Sequence, residues 1–196
     1  MFHSLLGLLQ KLAAPRVITT LVALWLLLAA AFQFTGATMR SYSACHGPEG
    51  KGYGSLDGKI VYTPDLAKDM LGAYGAEGRM FYSRVEGTVD LVFPLTNALL
   101  TSLLLLACGR ALLRNSTPLR VIALLPFVGM VADYLENTLV LWMLASFPAD
   151  ISGVAQVSAV VSVTKSVFYV PPGVIALISL LVTGAVRLFA WIRSRK

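Results

Sequence analysis

Asp133, Glu136 and Asn137 lie inside an apolar run that extends from Val121 to Phe147, and this constrains the fold more than any other feature of the chain. Read as a helix, the run places the three residues at i, i+3 and i+4, so they share one face. Two carboxylates and an amide on one turn are expensive at bilayer depth, where lipid offers no partner. The face that carries them must look into protein.

Composition agrees with a membrane setting. Hydrophobic residues make up 57% of the 196 residues and charged residues 13%, about half the charged share of a soluble domain. Four apolar stretches are long enough to span a bilayer, at 17–34, 85–108, 120–147 and 154–186. They predict an all-α fold in a single domain of four transmembrane helices. The formal charge of +6 sits in terminal and short-loop positions that set topology, and it does not point to nucleic acid. Cys45 and Cys108 fall on opposite predicted sides, so no disulfide is expected.

Along the chain, residues 1–14 carry Phe2, Leu5, Leu6, Leu9, Leu12 and Ala13 at helical spacing. They read either as a short interfacial helix or as an extension of the first span. Residues 36–84 form one long polar segment between spans one and two. Glycines 47, 50, 52, 54 and 58 make its first half a loop, in which Cys45 and His46 are an ordinary thiol and a solvated imidazole. Thr63-Pro64-Asp65 then reads as a cap, first residue and acidic first turn of a short amphipathic helix that stops at Gly75 on the outer membrane surface. The second span starts within 77–82. Asn115-Ser116-Thr117-Pro118 turns the chain into the third, and Pro171-Pro172-Gly173 predicts a kink or tilt in the fourth.

Basic residues cluster at Lys11 and Arg16, at Arg110, Arg114 and Arg120, and from Arg187 to Lys196. The loop between spans three and four offers only Asp150. This asymmetry predicts both termini on the cytoplasmic side and residues 36–84 outside.

Counting about 1.5 Å per residue from these anchors puts Asp133 about 20 Å up, Glu136 about 24 Å, and Asp90 and Lys165 each about 30 Å. The four are predicted to meet in the outer half of the bundle, with Lys165 pairing with Glu136 or Asp133. Arg79 and Tyr82, i+3 neighbours above them, complete a candidate ligand-binding set of Asp90, Asp133, Glu136, Asn137, Lys165, Arg79 and Tyr82. Arg79 is within reach of Glu86 or Asp90, or of lipid phosphate. Ser162, Thr164, Ser166 and Tyr169 read as interhelical hydrogen-bonding residues. Trp25, Trp142 and Trp191 read as interfacial or lipid-facing. No Ser-His-Asp set, zinc-like Cys/His spacing or phosphate-cradling loop is present in the sequence, so no metal is expected.

Gly75-Ala-Glu-Gly78-Arg79-x-x-Tyr82, Asp90-x-x-Phe93-Pro94-Leu95 and Asp133-Tyr134-x-Glu136-Asn137 together resemble a family of small, uncharacterised four-helix bacterial membrane proteins. The likeness covers roughly residues 62–165. It implies the four-helix fold, a bacterial inner membrane and these positions, and it supplies no activity.

A second, local pattern runs from Tyr42 to Gly52. Tyr42-Ser-Ala-Cys45-His46-Gly47 is similar to the haem-attachment stretch of c-type cytochromes, with Tyr42 in place of the first cysteine. The similarity implies a single thioether at Cys45, His46 as axial ligand and Met70 as the second. About 40 mostly polar residues cannot build a haem shell alone, so no cofactor is the main expectation. The residues fit best a non-enzymatic membrane subunit or binding protein whose polar pocket engages membrane lipids, other membrane subunits or a ligand. The alternatives are a membrane-embedded enzyme or carrier for a lipid-like or amine substrate, with Glu136, Asp133 and Lys165 as candidate catalytic groups, and an electron-transfer subunit with haem at Cys45 and His46.

Overall fold

Pro15 sets the first boundary of the structure, because it starts a new helix where Ala13 and Ala14 have let the previous one end. The structure is a computed structural model that describes residues 2–46, 52–109, 112 and 117–195, with side chains from residue 6 onward. Arg110, Arg114, Asn115, Ser116, Gly47 and Gly50, on which parts of the topology and loop expectations rest, lie outside the described residues, as do Met1 and Lys196. The described elements are α1 (Phe2–Leu12), α2 (Pro15–His46), α3 (Pro64–Ala73), α4 (Gly75–Glu86), α5 (Val89–Cys108), α6 (Thr117–Ile122), α7 (Leu125–Ser146) and α8 (Ser152–Arg193). They are all helical, and α2, α4–α5, α6–α7 and α8 give four segments long and apolar enough to cross a membrane.

The boundaries depart from expectation in four places. First, α2 continues beyond Phe34 to His46, so the polar segment opens as helix, and Cys45 lies on α2 rather than in a loop. The cause is a stripe at four-residue spacing: Thr35, Met39 and Ser43 are buried, and Ser43 Oγ accepts the Tyr53 N–H at 2.6 Å. Second, the second span is broken at Gly87 and Thr88 into α4 and α5. Third, Pro126 cannot donate to the Ile122 carbonyl one turn back, and the third span divides into α6 and α7 at that point. Fourth, α8 is helical without interruption through Pro171-Pro172 and runs past Val186 to Arg193. Asp150, just before its N-cap Ile151, accepts from Ser152 N at 3.0 Å and Ser152 Oγ at 2.7 Å. Those two bonds hold the exposed Asp150 carboxyl below its ordinary range.

The start of α3 is as the sequence predicts: Thr63 Oγ1 accepts the Leu66 N–H at 3.2 Å, with Pro64 as first residue. Gly75 turns α3 into α4 at φ +65°, where a side chain would be strained, and the His46 ring lies against it. One face of α3 also packs into the bundle. Its Ala67, Met70 and Leu71 are fully buried, and the helix packs on α2 and α8.

At the centre is α5, which touches α1, α2, α4, α6, α7 and α8. Two apolar cores form, only the second of which includes residues of α5. One joins Met39, Leu56, Met70, Tyr74, Tyr82, Val140 and Met143; the other joins Leu9, Leu103, Leu105, Leu106, Leu119 and Ala176. On α7, Asp133 to Asn137 fall between Ala123 of the second core and Val140 of the first. On α8, Lys165 falls between Ala155 of the first core and Ala176 of the second. The polar side chains therefore occupy a layer between two hydrophobic seals.

Candidate functional site

A charge in that layer has to find its counter-charge on another element, because neither seal contains a charged side chain. Lys165 of α8 does so twice on α7: its Nζ is 3.3 Å from Asp133 Oδ1 and is ion-paired with Glu136 Oε2. The same ammonium donates to the Asp57 carbonyl at 3.3 Å. Lys165 thus serves both acids between which the sequence left the choice open. Glu136 Oε1 is buried without a hydrogen-bond partner.

Asn137 has a different task, which follows from Pro94. A proline inside a helix frees the carbonyl four residues before it, here that of Asp90. Asn137 Nδ2 donates to this carbonyl at 3.1 Å. Next to it, the Tyr134 hydroxyl donates to Leu91 O at 2.9 Å. Asn137 and Tyr134 thus repair the backbone of a membrane helix from the side. Tyr169 adds a weaker bond to Pro94 O at 3.4 Å. Its ring lies so close to Gly129 that a Cβ there would be 2.6 Å from Tyr169 Cδ1.

The sequence did not single out Asp57. Lys59 N donates to Leu56 O at 2.9 Å, closing a turn, while Leu56 is fully buried in the first core. This pins the loop onto the bundle, and Ser162 Oγ fixes it again by donating to Lys59 O at 2.7 Å. Tyr82 then holds Asp57: the hydroxyl donates to Asp57 Oδ1 and accepts the Asp57 N–H at 3.1 Å. Asp57 joins Glu86 and Asp90, with one carboxylate oxygen of each within 4.8 Å of the others. Glu86 is the last residue of α4 and Asp90 lies in the first turn of α5, so the break at Gly87-Thr88 brings the two together. Glu86 is 1% exposed and neither of its carboxylate oxygens has a hydrogen-bond partner among the described residues.

A cavity of about 630 Å³ opens over these groups, lined by Asp57, Asp90, Asp133, Lys165 and Tyr169 together with Phe32 and Phe93. Arg40 and Lys59 also line it and are exposed; neither forms an ion pair with the acids. The lining itself holds three acids and three bases; among the buried and half-buried charges around it, however, five carboxylates (Asp57, Glu86, Asp90, Asp133, Glu136) stand against the single ammonium of Lys165.

Several candidates lie elsewhere or act differently. Arg79 does not reach Glu86 or Asp90. Its Nη1 donates to Leu71 O at 2.9 Å, and its guanidinium stacks 4.4 Å above the Phe147 ring. Thr164 and Ser166 bond to carbonyls of their own helix, and only Ser162 and Tyr169 of that group bond beyond it. Trp25 donates to Asn97 Oδ1 at 3.0 Å, so it joins two spans; Trp142 and Trp191 are exposed. Cys45 is exposed at the end of α2, His46 Nδ1 is 3.0 Å from Tyr42 O, and Met70 is fully enclosed by the first core.

Two tyrosines wall this end of the bundle. Tyr74 donates to Gly54 O at 2.7 Å, and burial pushes its hydroxyl well above the usual range. Burial likewise pushes the Tyr62 hydroxyl up to about 12. Comparison of the chain with protein-family models, with curated proteins and with solved structures finds no match in any of the three.

Proposed function

We propose that this protein is a non-enzymatic integral membrane binding protein whose acidic cavity takes a positively charged ligand. The reading is carried by the imbalance among the charges withdrawn from water, five carboxylates against Lys165, the other two cations of the lining, Arg40 and Lys59, being exposed. Removing several carboxylates from water is tolerable only if protons, a cation or an ammonium group neutralise them. The mixed lining, with Phe32 and Phe93 beside Asp57, Asp90 and Asp133, suits a ligand that joins a cationic end to an apolar body. A small alkylamine, or the ammonium group of a choline- or ethanolamine-type lipid headgroup, has that character. Lys165, Asp133 and Glu136 are engaged with one another, which supports a structural and charge-setting role for them rather than a catalytic one. The basic residues flanking the spans support cytoplasmic termini and a cavity that opens outside, and the family resemblance favours a bacterial inner membrane.

Thermal unfolding of the purified full chain, measured against a panel of ammonium compounds with and without an alkyl tail, tests this reading. Stabilisation that saturates for some members of the panel and is weakened by Asp90→Asn supports it. Asp90→Asn leaves the Lys165 pairs in place, so its effect reports on the cavity and not on the α7–α8 contact. A panel without effect on a folded protein overturns the amine form of the reading.

A further inference from the structure

We infer that Asp57, Glu86 and Asp90 form a binding site for a hard divalent cation of the size of Ca²⁺. The inference rests on the reading of the cavity as a cation site and narrows it to one corner.

Three observations carry it. The first is geometry: one oxygen from each of the three carboxylates lies within 4.8 Å of the other two. Oxygens bound to one Ca²⁺ sit about 2.3–2.6 Å from the ion, so two on opposite sides are separated by about twice that distance. The second is the state of Glu86. It is 1% exposed, its two oxygens lack hydrogen-bond partners among the described residues, and one of them belongs to this cluster. A buried carboxylate without a donor is among the least favourable groups a protein interior can hold, and a metal ion directly in front of it removes the difficulty. The third is the position of that side chain in its helix. As the last residue of α4, Glu86 stands at the negative end of the helix dipole, where an acid is destabilised unless something positive compensates it.

The donor set selects the ion class. Carboxylate oxygens without histidine or cysteine favour Ca²⁺, Mg²⁺ or Mn²⁺ over zinc or copper. Entry is provided by the cavity, which Asp57 and Asp90 line, with a Glu86 oxygen within 4.8 Å of theirs. The ligands come from three separate places: the loop before α3, the end of α4 and the start of α5. An ion held by all three would tie that loop to both halves of the broken second span. Tyr82 orients Asp57 from outside the triad, as outer-shell partners of metal ligands do.

Tb³⁺ is a suitable probe, because it prefers oxygen ligands and its emission is sensitised by a nearby tyrosine, here Tyr82. The experiment titrates Tb³⁺ into the purified full chain in lipid nanodiscs, exciting through tyrosine, and then displaces it with Ca²⁺. The expected result is saturable emission, reversed by Ca²⁺, with affinity reduced at least about tenfold in both Glu86→Gln and Asp57→Asn. Asp57 is on a loop, so its variant tests the site even if Glu86→Gln perturbs packing. Ca²⁺ should raise the unfolding temperature of the native chain and leave that of Glu86→Gln unmoved, a difference that a packing role for Glu86 does not produce. No saturable emission, or emission unchanged in both variants, overturns the metal site. If Tb³⁺ and Ca²⁺ fail while an ammonium compound still stabilises the protein through Asp90, the metal inference falls and the cavity reading stands. If both fail, both fall.

Discussion

The Tyr82 hydroxyl holds Asp57 at two atoms, donating to Oδ1 and accepting the N–H 3.1 Å away. One fully buried side chain on α4 thus fixes both the carboxylate and the backbone of a loop residue that has no secondary structure of its own. The loop is part of the site because of this clamp. Tyr82→Phe removes both bonds and leaves the ring's packing intact. It is expected to destabilise the protein by about 1.5–3 kcal/mol, the usual range for bonds to charged groups. Amide hydrogen exchange at Asp57 should quicken at the same time. Unchanged exchange there would show that Leu56 alone secures the turn.

The partnership of Pro94 with Asn137 makes a sharper prediction, because it is reciprocal. Asn137→Ala orphans the Asp90 carbonyl and should cost about 1–3 kcal/mol. Pro94→Ala restores an N–H to bond that carbonyl within α5, so the double variant should recover part of the loss. A double-mutant cycle on thermal stability should show coupling of about 1 kcal/mol or more. Strict additivity would mean that Asn137 is not repairing the helix.

Gly129 of α7 lies directly against the ring of Tyr169 on α8, which lines the cavity. A methyl group there meets Tyr169 Cδ1 at 2.6 Å, so Gly129→Ala must displace the ring. The expected cost is about 1–3 kcal/mol, as for other overpacked sites, read as a lower unfolding temperature in the same detergent. A variant as stable as the native chain would mean that the two helices can separate without loss.

Alkaline conditions probe the tyrosine wall. The folded state holds the Tyr62 hydroxyl up at about 12, against an ordinary value of 10.0. A raised acid pKa means that the folded state keeps a proton the unfolded chain releases. The contribution is therefore fully present below pH 10 and is lost as pH climbs toward 12. Tyr74 is shifted in the same direction by burial. Unfolding temperature should fall steeply over that window, and less steeply in Tyr62→Phe. Parallel curves for the two proteins would contradict the assignment.

Much of this site was legible in the sequence because charges in apolar helices have few places to go. Asp133 and Glu136 on one face, with Lys165 the only ammonium within the last span, left little choice of partner. The Pro94–Asn137 repair was legible in principle, since the freed carbonyl lies four residues back by helix geometry. Two features were hidden. The course of the loop at Asp57 depends on where Leu56 finds a core to fill, and that is a tertiary fact. The break at Gly87-Thr88, which pairs Glu86 with Asp90, has no strong signal either, because a glycine and a threonine are readily carried inside a membrane helix. The helical run to His46 was concealed by the glycines after it, although Thr35, Met39 and Ser43 already stood at four-residue spacing. Arg79 misled for a simpler reason: a backbone carbonyl and an aromatic ring were nearer than the acids.

The central claim is that the excess of carboxylates withdrawn from water over the one buried ammonium, Lys165, makes this cavity a cation receptor. Isothermal titration of the purified chain in nanodiscs, with Ca²⁺ and with the best ammonium compound, tests it most directly. The account predicts saturable uptake of at least one of them, close to one ion per chain, weakened at least about tenfold by Asp90→Asn. A folded protein that takes up neither, or binds them equally well without Asp90, would contradict it.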